Sequence, residues 1–198
     1  PTPAALQRLG ASWERALTAP ATQRYAAERA LSFGLTGKAA GPEATLRALR
    51  EEAALELAGL LQRADRPLPE LAPTGSKGVL QRAAQRLREE LMSDVEARCD
   101  ALRDRTGARR DLPLADEWRE WATLRERYEH AARRGGPEVR RLLWSRLHGD
   151  VCGYAVWLWN QRKERALANA VFRYLLREAE HLGDQDRIDL QKKNVACG

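Results

Sequence analysis

The chain has 198 residues, 43% of them apolar and 31% charged, with a formal net charge of +6. This is a globular composition rather than a disordered one, and the length suits a single helical domain or two small subdomains. No uncharged run approaches the roughly 20 residues needed to cross a bilayer, so no transmembrane segment is expected. An odd set of widely spaced cysteines, Cys99, Cys152 and Cys197, argues against a disulfide framework and for an intracellular reducing compartment such as cytosol, nucleus or organelle matrix.

Thr2-Pro3 offers an N-cap and an N1 proline, and Leu6, Leu9, Trp13 and Leu17 recur at helical spacing until Pro20, which predicts a first helix over 3–18. A second, over 21–33, carries Tyr25, Ala26, Ala30 and Phe33, with a loop over 34–41. Pro42 opens a third, striped by Leu46, Leu49, Ala53, Leu57, Leu60 and Ala64. Residues 65–78 then hold three prolines and two glycines, a linker signal that divides the domain into candidate subdomains 1–66 and 77–198. Ser76 is placed to cap a fourth helix over 77–105, with Gly107 beyond its end.

Asp111 or Asp116 begins a fifth helix, with Leu114, Trp118, Trp121, Tyr128 and Ala132 on one side and Gly135-Gly136 as its stop. Pro137 opens a sixth. Its Val151–Trp159 stretch is free of charge, and Trp144, Leu147, Val151, Tyr154 and Leu158 share a face, so 143–159 is expected to be the most buried helix. Gly149 and Gly153 invite a bend, so 137–183 reads as one kinked helix or two. The tail 184–198 is expected to pack loosely. A single Ile and the lack of alternating β-branched runs exclude a sheet. The expected fold is all-α, an antiparallel bundle of about six helices with a long kinked C-terminal helix, helices one to three in one layer and four to six in the other. A chain that opens on Pro1, with its only methionine at Met92, is expected to be a processed or excised piece.

The basic excess is not concentrated: it is +2 over 1–66, +1 over 67–112 and +3 over 113–198. The bases are 29 Arg against 5 Lys, a bias that suits bidentate phosphate recognition and that a GC-rich genome gives equally. Candidate chemistry is thin. Among the three histidines, His130 follows Arg125 and His148 follows Arg141 at spacings that resemble the loose Arg-x4–6-His motif of HEPN-type helical ribonucleases, but 29 arginines produce such pairs by chance. Glu178-x-x-His181 supplies half of a carboxylate-bridged di-iron pattern, whose second half is missing. Gly75-Ser76-Lys77-Gly78 lacks the spacing and the preceding strand of a phosphate loop, and Cys152 reads as a small buried hydrophobe.

No catalytic, cofactor-binding or metal residue is expected. The expected function is that of a non-enzymatic helical interaction or scaffold module of a larger assembly, binding a protein partner or a second copy through Trp157, Trp159, Arg162 and Tyr128. One alternative is a nucleic-acid or anionic membrane surface gripped by the paired Arg133, Arg134, Arg140 and Arg141. The other is a helical enzyme whose site leaves no motif.

Overall fold

Thr2 Oγ1 accepts the Ala5 amide at 3.2 Å and Pro3 fills the first helical position, so α1 (Pro3–Thr18) begins as its sequence dictates. A computed structural model describes residues 2–32, 41–64, 66–73 and 75–196, and all regular structure among them is helical, without a strand. Phe33, most of the expected 34–41 loop and Cys197 lie outside the described residues. Eight α-helices and a π-helical turn replace the expected six helices among the described residues. The chain divides into two compact units, residues 1–90 and 91–198.

The first unit holds α1, α2 (Pro20–Ser32), α3 (Pro42–Arg63), α4 (Leu68–Leu71) and the beginning of α5 (Gly78–Gly107). The stretch expected to be a linker is packed instead: Leu68 and Leu71 are fully buried alongside Leu57 and Leu61. The cap on α5 is likewise not the expected Ser76. Glu14 Oε1 accepts the Val79 amide at 2.7 Å, a carboxylate being the stronger acceptor at the positive end of a helix. Gly78, at φ 63°, leaves room for it, since a Cβ there would stand 2.1 Å from Glu14 Oε1.

The second unit contains the rest of α5, α6 (Leu114–Trp157), a π-helical turn (Leu158–Arg162), α7 (Arg165–Leu182) and α8 (Gln185–Ala196). Gly136 (φ 82°, ψ −173°) interrupts α6 just before Pro137. The Tyr154 hydroxyl donates to Glu117 Oε2 at 2.7 Å, although 37 residues of straight helix would separate the two by about 55 Å. The two arms of α6, 114–135 and 137–157, therefore run antiparallel as a hairpin, and the helix break falls where Gly135-Gly136-Pro137 predicts it.

Gly136 occupies a backbone region open essentially only to glycine. Gly136→Ala is expected to lower stability by about 1–3 kcal/mol, a loss that urea denaturation would measure.

Gly149 and Gly153, where a bend was expected, both keep helical backbone angles and do not break the helix. The chain turns later, through the π-helical turn and Lys163 at φ 60°. The second arm of α6 and the start of the π-helical turn carry the anticipated burial: Leu147, Val151 and Leu158 are inaccessible and share a core with Trp121, Tyr128 and Leu175. The tail is not loose. It forms α8, held by buried Ile188 and Gln191.

Candidate protein-interaction face

Two buried carboxylates tie the second unit together, each gripped by a tyrosine and arginine. Glu178 on α7 accepts the Tyr128 hydroxyl at 2.5 Å and Arg140 Nε and Nη2 at 2.6 and 2.7 Å. Burial alone would push the Glu178 carboxyl up, but the bonds from Arg140 and Tyr128 hold it below its ordinary value. Burial and the same carboxylate push the Tyr128 phenol up. Glu117, with no exposed surface, takes Arg105 Nη1 at 2.9 Å besides Tyr154, and Arg162 Nη1 lies 3.8 Å away.

A third cluster joins α6 to α8. His148 is buried, its Nε2 3.0 Å from Gln191 Nε2 and its ring edge-on to Trp144, whose Nε1 donates to Asp184 at 3.0 Å. Burial, then the Arg187 charge, pull the His148 imidazole down to about 4 against the opposing Asp184. A histidine whose folded value lies below its unfolded one must gain protons to unfold, so its contribution is complete above about pH 6.5 and is lost as pH falls towards 4. The chain should lose about 3 kcal/mol across that window, and His148→Gln should flatten the slope in pH-dependent urea titrations. Equal slopes in parent and variant would refute this.

Most of the residues expected to meet a partner instead serve these interiors. Tyr128 is fully buried on Glu178. Trp157, expected on the surface, is 8% exposed; its ring stacks on Tyr154 at 6.0 Å and lies 5.5 Å beneath the Arg162 guanidinium. Arg162 itself donates to the Leu112 carbonyl at 2.8 Å and pairs with Asp111 at 3.1 Å. Trp159 is half-buried under Arg165. Of the four paired arginines, Arg133 and Arg141 are exposed, Arg134 is buried and Arg140 is neutralised by Glu178.

The remaining chemistry is similarly occupied. Glu178 is already engaged, so its spacing to exposed His181 marks a structural carboxylate beside a surface histidine. No cluster of three metal-ligating side chains occurs among the described residues. Cys99 is buried, and burial followed by Asp150 pushes its thiol up to about 12. A cleft of about 550 Å³ opens beside Gly75, Ser76 and Lys77 in the first unit, where Glu14 already takes the first free amide of α5. Among the described residues, no helix is long and apolar enough to cross a membrane.

The surface that stands out was read in the sequence only as a bend. On the second arm of α6, Leu142, Ser145, Gly149, Gly153 and Val156 project opposite the buried face at 100° per residue, and all five are exposed. An outward helix face normally carries charge; from Leu142 to Val156 this one carries none, although Glu138 precedes it on the same face and Arg146 and Asp150 stand at its edge. Leu142 is 55% exposed, Val156 41% and Leu190 on adjacent α8 44%. A Cβ at Gly149 or Gly153 would meet nothing, so no internal packing requires either glycine, and each costs about 1 kcal/mol of helix propensity relative to alanine. The signal is legible in the sequence as the uncharged stripe of an otherwise amphipathic helix. No family model, curated protein or solved structure matches this chain.

Proposed function

We propose that this chain is a non-enzymatic protein-binding module, a bundle of antiparallel helices that contributes an interface to a larger assembly. The observation that carries the reading is the uncharged outward stripe of α6, where exposed Leu142 and Val156 flank glycines that the fold itself does not use. Of the residues first expected to form the contact, Trp159 borders this face, whereas Trp157, Tyr128 and Arg162 are engaged elsewhere in the second unit. The test is stoichiometric co-purification of tagged parent and Val156→Glu chains from native extract. A defined protein bound by the parent and lost by the variant is the expected result. Equal recovery of any partner by both chains, or none by either, overturns the reading.

A second reading has one observation in its favour. Arg109 and Lys163 are the non-glycine residues at positive φ among those described, in two loops joined by the bond from Arg162 to the Leu112 carbonyl. Both are exposed, as is Arg110, and none of the three has an ion pair among the described residues. Strained backbone that displays cations suits an anionic surface, and such binding falls steeply with salt. Anionic vesicles that bind equally at low and physiological salt would remove it.

A further inference from the structure

The geometry points to a second copy of this chain as the occupant of the uncharged α6 face, in a two-fold dimer centred on Gly149. This rests on the protein-binding reading above and names its partner.

The stripe is self-complementary. Leu142 and Val156 lie seven residues to either side of Gly149, and Ser145 and Gly153 lie four to either side. An antiparallel helix related by a two-fold axis at Gly149 therefore sets Leu142 against the partner's Val156, Ser145 against the partner's Gly153, and glycine against glycine at the point of closest approach. Arg146 and Asp150 share one flank of the stripe, so the two-fold brings this oppositely charged pair beside the partner's Arg146 and the partner's Asp150.

A socket exists for the protruding leucine. A dimple of about 130 Å³ is lined by Val156, Trp159, Asn160, Phe172 and Asn194, at the end of the stripe where the register delivers the other copy's Leu142. It is large enough to admit a leucine side chain, and its floor, Phe172, is buried. The knob and the hole thus lie on the same protomer at equal distances from the axis, as an isologous interface requires.

The face also has the extent that a stable dimer needs. Pairs from Asp100 to Arg146 and from Arg103 to Asp150 place α5 along one side of the stripe, and the bonds of Gln191 to His148 and Cys152 place α8 along the other. Three helices side by side span about 27 Å and the stripe from Leu142 to Val156 runs about 21 Å, a footprint of about 570 Å² per copy, or about 1,100 Å² in total against the roughly 1,000 Å² that a specific interface must clear.

Sedimentation of the full chain at about 1–300 µM tests the assignment, together with Leu142→Glu. The substitution is at an exposed helix position, so circular dichroism and the melt should be unchanged while the dimer weakens at least about tenfold. Gly149→Cys, in a background with Cys152→Ser and Cys197→Ser, should be joined to its partner by a short bis-maleimide. A parent that stays monomeric, a dimer indifferent to Leu142→Glu, or one that does not cross-link through position 149 overturns the proposal. A monomer that still binds a foreign protein through Val156 leaves the wider reading standing, so the two failures are distinguishable.

Discussion

Glu117→Ala should cost about 3–5 kcal/mol in urea denaturation, among the largest losses any single polar substitution in this chain can produce. The carboxylate has no exposed surface and accepts from Arg105 and Tyr154 while facing Arg162. Removing it strands guanidinium groups whose side chains are only 14% exposed, and it frees a phenol that burial and Glu117 together push above its ordinary value. Glu51→Ala is the contrast. Glu51 pairs with Arg82 at 2.6 Å, but both side chains are about half exposed, so its loss should stay below about 1 kcal/mol. Near-equal losses for the two variants would show that burial does not set the strength of these pairs.

Leu158→Ala should be comparably damaging, at about 2–5 kcal/mol. Leu158 opens the π-helical turn, is inaccessible to solvent, and belongs to the core between α6 and α7. Truncation leaves a cavity that close-packed neighbours cannot readily fill. Val156→Ala, two residues earlier and 41% exposed, should cost under about 1 kcal/mol. If the Leu158 variant melted with the parent, the core would have to be placed elsewhere.

Local signals with local causes were readable in advance. Thr2-Pro3 caps α1 and Gly135-Gly136-Pro137 breaks α6, because each acts through residues a few positions apart. Failures arose where the deciding neighbour is remote. Glu14 displaces Ser76 as the cap of α5 from 65 residues away, and Tyr128 is drawn inside by Glu178, 50 residues on. Trp157 lies at the flank of its helix by periodicity, yet Arg162 folds over it because the π-helical turn shifts the register that a 3.6-residue period assumes. The candidate face was missed for the opposite reason. Its five residues obey the period, but Gly149 and Gly153 were weighed as backbone breakers rather than as absent side chains.

The hairpin at Gly136 also sets an order of events in time. With one residue joining its arms, α6 can zip outward from the break, each step closing only a short loop, until Glu117 reaches Tyr154. By comparison, α8 is a short terminal helix that pairs with α7 across the turn at residues 183 and 184, and it reaches α6 only by bringing Gln191 to His148 across 43 residues. The second unit should therefore nucleate at the hairpin and gather α8 last. In native-state hydrogen exchange the amides of α8 should open at lower free energy than those flanking Val151, so the helix beside the proposed dimer face is the one that the folded chain releases most readily.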